Sequence, residues 1–204
     1  GIIISDSYIK AGKAGAITGG IPNYNSKTAT INQCYATETT TVEGAYAGGI
    51  IGCAGNTQII NCHNTANIHT TNQQGSSIDL DKGKAAHVGG ILGSIWVETR
   101  GGGKGEVDNC SNSGTIEGIV TSVENSGTSG IVGSRINAAQ LTVSNCINRG
   151  SVYNNNFNNT YTVAGGAIVG GIVGLATGSS TDVVTVTNCQ NDGSSSATIS
   201  SRRG

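Results

Sequence analysis

The chain is short of proline, methionine, aromatic rings and charge, and each shortage narrows what it can be. One proline in 204 residues, Pro22, leaves almost every backbone N–H free to donate. That suits strands that must pair on both sides, and it places Pro22 at an edge near one end. Aromatic residues make up 4% and charged residues 11%, the latter far below the roughly 25% of ordinary globular domains. A conventional core of large side chains would therefore be hard to fill. A formal net charge of −1 argues against nucleic acid or an anionic membrane surface as the main partner. The longest apolar stretch, Val163 to Ala176, is broken by glycine and falls short of the roughly 18 residues of a membrane-spanning helix. With no methionine and no signal peptide, the chain is expected to have been processed or cut from something longer.

What the sequence has instead is repetition. The phrase Val107-Asp108-Asn109-Cys110-Ser111-Asn112-Ser113-Gly114-Thr115-Ile116 returns in weaker copies along the whole chain. Its anchor is read at Ser7, Cys34, Cys62, Cys110, Cys146 and Cys189, with Ile4, Ile31, Ile59, Val107, Val143 and Val186 three residues earlier. A second phrase falls between anchors: Gly19-Gly20-Ile21, Gly48-Gly49-Ile50-Ile51-Gly52, Gly89-Gly90-Ile91-Leu92-Gly93, Ser129-Gly130-Ile131-Val132-Gly133 and Gly170-Gly171-Ile172-Val173-Gly174. Two phrases alternating in fixed order predict an all-β solenoid of about six coils, residues 1–204 forming one domain. Anchor spacings of 27, 28, 48, 36 and 43 make the shortest interval a bare turn and the rest a turn plus surface loops. On this reading Val143→Asp unfolds the middle of the stack, and changes at Asn155 are silent.

The asparagines have a structural task. Asn61, Asn109, Asn145 and Asn188 precede the anchor, and Asn64, Asn112, Asn148 and Asn191 follow it by two. At a corner the backbone loses its strand partners, and an inward amide can bond those groups and its equivalent one coil away. Asn109 is accordingly expected to be buried, its Asn-Cys-Ser context notwithstanding. Gly114, Gly150 and Gly193 are expected to need positive φ or close approach. In the early coils Asp6 and Gln33 replace the first asparagine, and Ile9 and Ala36 the second, which predicts looser corners.

The pattern Ile/Val-x-Asn-Cys-x-Asn-x-Gly-x-Ile followed by Gly-Gly-Ile-Val-Gly resembles the glycine-rich GLUG repeat of large bacterial surface and secreted proteins. Those include the non-catalytic part of some immunoglobulin A-cleaving metallopeptidases. The resemblance covers nearly the whole chain. It implies a right-handed parallel β-solenoid (β-helix) on the outside of a cell, with no catalytic residues in the repeat itself.

Candidate sites are few. The cysteine column, Cys34, Cys62, Cys110, Cys146 and Cys189, reads either as small buried thiols or as disulfides between stacked coils, such as Cys34 to Cys62. Cys53 lies outside the column and is a candidate for reactivity or for pairing with Cys62. No Cys-x-x-Cys occurs, and a column has the wrong shape for a tetrahedral ion; Asp79 and Asp81 offer too few oxygens for calcium. No cofactor is implied. His63, His69 and His87 belong to no motif and are expected at the surface. Glu106 and Asp108 flank the anchor strand on one coil only, so no acidic pair emerges for glycan chemistry. Thr-x-Thr ranks of the ice-binding kind are confined to the last two coils.

Three consecutive coils enlarge the same connection, at 69–87, 117–129 and 153–165. Loops at one corner should form a single patch, which would carry Tyr153, Phe157 and Tyr161. Trp96 is expected to pack a loop onto the solenoid. The expectation is thus an extracellular structural or adhesive segment that is not an enzyme, its partner a glycan or a host surface protein. The apolar opening Ile2-Ile3-Ile4 is an assembly edge, because an uncapped solenoid can pair with flanking domains of a longer chain or with copies of itself, end to end.

Overall fold

The computed structural model describes residues 1–21, 28–70, 86–96, 103–120, 126–136, 140–156, 167–177, 183–192 and 199–202. Among these residues every regular element is a strand, and every pairing is parallel. The chain winds as a β-solenoid whose coils each contribute a strand to five faces. Face one is made of two-residue strands: Ile3–Ile4, Tyr35–Ala36, His63–Asn64, Ser111–Asn112, Ile147–Asn148 and Gln190–Asn191. Face two stacks Tyr8–Lys10, Thr41–Glu43, Asn67–His69, Ile116–Val120, Val152–Asn156 and Ile199–Arg202. Face three runs Lys13–Gly15, Tyr46–Gly48, His87–Gly89, Ser126–Ser129 and Ala167–Gly170. Face four comprises Thr18–Ile21, Ile51–Ala54, Leu92–Trp96, Val132–Ile136 and Val173–Thr177; face five comprises Ala29–Asn32, Thr57–Ile60, Lys104–Asp108, Gln140–Ser144 and Val183–Thr187.

Alternation along each strand selects what goes inside. On face five Ile31, Ile59, Val107, Val143 and Val186 stand in one inward row. Ile31, Ile59, Val107 and Val143 join Ile50, Ile51, Ile91, Leu92, Ile131, Val132 and the column cysteines in or against the larger apolar cluster. A second cluster joins Val42, Ile68, Ile116 and Val152 of face two to Ala14, Ala47 and Val88 of face three. Small residues suffice there because faces three and four lie back to back. A Cβ on Gly52 would stand 2.6 Å from Ala14 N, and one on Gly93 2.7 Å from Ala47 O.

The glycine turn and the asparagine corner are in contact, which explains why the two phrases always travel together. A Cβ on Gly49 would come within 2.3 Å of Asn64 Cγ; on Gly90, 2.5 Å of Asn112 Cγ; on Gly130, 2.2 Å of Asn148 Cγ. Only glycine lets the amide lie that close. Each of these segments passes from one apolar cluster to the other, Cys62 to Ala66 in the first and Ile50 to Ala47 in the second. The Asn–Gly contact forms the waist between them.

The first coil differs from its expected register. Ile3 pairs with Tyr35 and Ile4 with Ala36, while Tyr35 N donates to Ile2 O at 2.9 Å. Ile2, not Ser7, therefore stands beneath Cys34, and Ile4, not Ile9, beneath Ala36. Ser7 lies beneath Thr40, since Thr41 N donates to Ser7 O. The cause is burial: this register puts Ile9 opposite Val42 in the smaller cluster. The glycine phrase of that coil is Gly15-Ala16-Ile17-Thr18-Gly19, because Gly15 pairs with Gly48 and Thr18 with Ile51. Gly19-Gly20-Ile21 sits four residues too late.

The corners also differ in detail. Positive φ belongs not to Gly114 and Gly150 but to Asn61, Asn109, Asn145 and Asn188 (φ 49 to 54°), with Gln33 in the same role at φ 57°. Asparagine tolerates this left-handed region better than most residues. Gly114 and Gly150 are needed for close approach, a Cβ there falling 1.9 Å from Ala66 O and 2.0 Å from Gly114 O.

Val143 is fully buried and paired on both sides. Val143→Asp is expected to cost about 4 kcal/mol or more by burying an unpaired carboxylate. Asn155, the intended comparison, has a side chain outside the described residues; exposed Ser113 serves instead. Equal melting temperatures for Val143→Asp and Ser113→Asp would reject the coil assignment.

Candidate functional site

The described surface carries two kinds of outward row. On the anchor side the rows are polar and self-similar. Thr30 bonds Gln58 (3.4 Å), Gln58 bonds Glu106 (2.8 Å), and Ser144 bonds Asp108 (2.7 Å). Both acids thus serve as acceptors within a side-chain ladder. The αL asparagines form another ladder beside it: Asn61 donates to Asn32 (3.2 Å), Asn109 to Asn61 (2.7 Å), Asn145 to Asp108 (2.8 Å) and Asn188 to Asn145 (3.4 Å). Asn109, Asn145 and Asn188 are exposed and Asn61 is half-buried, which corrects the expectation that Asn109 is buried. Their φ explains it: the left-handed corner turns the side chain out.

The inner asparagines are the buried set. Asn64 Nδ2 donates to Asn112 Oδ1 at 2.7 Å, Asn112 to Asn148 at 2.8 Å, and Asn148 to Asn191 at 2.8 Å. Each amide also closes a small ring on the residue two ahead, as when Asn112 Oδ1 accepts Gly114 N–H (3.2 Å) and Nδ2 donates to Gly114 O (3.1 Å). Donor and acceptor are both needed, so aspartate could not replace it.

All six cysteines are free thiols. Cys34, Cys62, Cys110 and Cys146 are buried and Cys189 is partly covered. Cys53 is buried on face four, where burial pushes its thiol up to about 11; it is not a reactive nucleophile.

Sequence reasoning missed a row on face two, because it inspected only the flanks of the anchor strand. Lys10, Glu43, His69, Glu117 and Tyr153 stack in register, one per coil. Lys10 Nζ lies 2.7 Å from Glu43 Oε1, and the Tyr8 hydroxyl donates to the same carboxylate. His69 Nδ1 lies 3.0 Å from Glu117 Oε2. In three of the five coils these residues stand seven after the anchor cysteine, and that spacing was the available signal. The row borders the corner from which the three enlarged connections leave. Tyr153 is half-buried in it; Phe157 and Tyr161 lie outside the described residues, as do Asp79, Asp81 and the Trp96 side chain.

His63 points outward as expected, stacked on Tyr35 (centroids 5.1 Å) and bonded to Ser111 Oγ at 2.7 Å. His87 does not. It is buried on face three, its ring 5.2 Å from that of Tyr46. Its Nδ1 accepts the Gly127 N–H at 3.3 Å, and its Nε2 has no hydrogen-bond partner among the described residues. The position is covered rather than open, so the expectation of a surface histidine fails here.

No family model matches the sequence, and no curated protein matches it. Among solved structures the fold is similar to that of a candidate immunoglobulin A1 protease from Bacteroides ovatus, with a TM-score of 0.60 and 18% identity. The likeness covers 96% of this chain and 59% of that one, so the chain spans little more than half the length of the protein it resembles. This finding overturns the expectation that the protein is not an enzyme. A chain with the same fold is described as a candidate protease.

Two outcomes follow from these contacts. Gly90→Ala places a methyl 2.1 Å from Gly130 O and against Asn112, and is expected to destabilise by more than about 2 kcal/mol. Gly20→Ala meets only the Lys13 side chain at 3.4 Å and Cys53 O at 3.7 Å, and should be nearly silent; similar melts for the two would refute the waist contact. Burial lowers the His87 pKa from 6.5 to about 4. Above about pH 6.5 the ring is neutral in both states and stability is complete. As pH falls towards 4 the unfolded chain takes up a proton that the folded chain refuses, and up to roughly 3 kcal/mol is lost. Denaturant midpoints at pH 7 and 4.5 should show this loss in the parent and much less of it in His87→Gln.

Proposed function

We propose that the chain is a rigid solenoid module of an extracellular or cell-surface protein, stacked in series with further coils and acting as a stalk or surface-binding segment. The observation that carries this reading is the state of the outermost coils. The inward residue Val186 is 45% exposed, whereas Val107 and Val143 in the same row are fully buried; Ile2 and Ile3 at the other end are 53% and 68% exposed. Such edges are competent to pair with another coil. The resemblance to GLUG repeats supports an extracellular setting. So does the structural neighbour, whose described target, immunoglobulin A1, lies outside cells. In such a setting the solenoid would hold or present a domain that meets its substrate, with a glycan or a host surface protein as partner.

Antibodies raised against the chain should label intact cells or the culture medium of the source organism. A signal confined to the cell lysate would overturn the extracellular reading. Light scattering with negative-stain electron microscopy separates the two ways of covering the edges. Dispersed monomers are expected of a module covered by coils of its own protein; fibres of uniform width would replace that with self-stacking of copies.

A further inference from the structure

The cysteine column has a geometry that packing alone does not require. Cys34, Cys62, Cys110, Cys146 and Cys189 occupy the same corner of successive coils, immediately before strands that pair in strict register. Strand spacing therefore sets successive sulfurs about 4.8 Å apart. Cys34 N and Cys62 N each approach the sulfur of the next coil at 3.4 Å. Every sulfur also lies 3.0 to 3.5 Å from the carbonyl two residues back, from Asn32 to Thr187.

We propose that this column binds soft monovalent d10 cations, copper(I) or silver(I), each held between two sulfurs of successive coils. Ions of higher coordination number are excluded by the same geometry. Among the described residues no group of three or more His, Cys, Asp or Glu side chains could converge on a metal. Zinc would need four such ligands and calcium six or more oxygens. Soft thiolates select copper(I), and a d10 ion is satisfied by two ligands in line. A straight row of thiols supplies that pair and nothing further. The expectation from sequence that a column cannot hold a tetrahedral ion leaves this case open.

The charge balance also fits a buried corner. One ion entering a thiol pair displaces one proton, leaving a thiolate–metal–thiol unit with no net charge. A buried apolar row tolerates a neutral unit and resists a charged one. The backbone N–H groups aimed at sulfur favour the thiolate form. Cys189 is the partly exposed member of the column. Cys53 stands off the column and provides an internal control.

The test is titration of the reduced, chelator-treated full chain with silver(I) under anaerobic conditions. Bound ions are counted by mass spectrometry after desalting, and the melting temperature is followed in parallel. The parent and Cys53→Ser should each retain at least two ions and melt higher with silver than without. The deciding comparison is between two double variants that each keep three column cysteines. Cys34→Ser with Cys189→Ser leaves Cys62, Cys110 and Cys146 adjacent and should still bind. Cys62→Ser with Cys146→Ser leaves no adjacent pair and should lose binding at least tenfold. Equal binding by the two would show that silver merely counts thiols, and would overturn the proposal; so would an unloaded parent, or a melting temperature lowered by silver. Should the second double variant melt early without metal, Cys110→Ser decides. It keeps two separate pairs and should retain ions at both, so its complete loss of binding would also overturn the proposal.

Discussion

The amide of Asn112 lying where a side chain of Gly90 would otherwise be is the contact on which the cross-section depends. A coil with five faces and few large residues must fold back on itself to leave no void. It does so by pressing a glycine turn against an asparagine corner. The asparagine cannot be bulkier, because the turn lies too close. Nor can it be apolar, because the corner carbonyl and N–H of Gly114 need partners. It cannot be acidic, because the next coil demands a donor. One residue type meets all three conditions, and it recurs in the four coils that carry Asn64, Asn112, Asn148 and Asn191; the first two coils place Ile4 and Ala36 there. The two phrases of the sequence are the two sides of this contact.

Parallel in-register stacking then imposes its own rule: whatever one coil presents, the next presents about 4.8 Å away. Inside, this produces continuous rows such as Ile31, Ile59, Val107, Val143 and Val186. It also produces two separate apolar clusters, each narrow enough to be filled by Val, Ile and Ala. Outside, it favours side chains that bond copies of themselves, and amides do this best because each donates and accepts. The scarcity of charge follows directly. A row of like charges at strand spacing would repel along its whole length, so acids survive only beside a donor, as Glu106 does beside Gln58 and Asp108 beside Ser144.

The solenoid, its strand rows and the buried Asn64, Asn112 and Asn148 ladder were legible in the sequence because stacking forces periodicity on them. What was illegible lies where the period breaks or where two solutions share one spelling. Ser7 satisfied the anchor spacing, yet the first coil closes on Ile2 because that register buries Ile9. Gly19-Gly20-Ile21 satisfied the glycine phrase, yet Gly15 is the residue whose Cβ would strike the Ile50 carbonyl at 2.7 Å. The two asparagines flanking each cysteine look equivalent in sequence. Only the backbone distinguishes them, one at positive φ facing out and the other extended and facing in. His87 was assigned to the surface because it belongs to no motif; the structure buries it on face three, and nothing in the local sequence says what lies beyond the strand.

Where such a fold can host distinct chemistry is set by the same rule. Identical neighbours give a ladder, and a ladder is structural; a site that handles a substrate needs neighbours of different kinds at fixed distances. Face five meets this condition poorly, since its outward positions are mostly hydroxyls and amides and its acids, Glu106 and Asp108, are taken up by Gln58, Ser144 and Asn145. Face two meets it, with an amine, a carboxylate, an imidazole, a second carboxylate and a phenol in consecutive coils. That row also borders a corner where three successive coils spend additional chain, at 69–87, 117–129 and 153–165. The likeness to a protease concerns the scaffold alone; the residues that set this chain apart from a plain scaffold are those of face two.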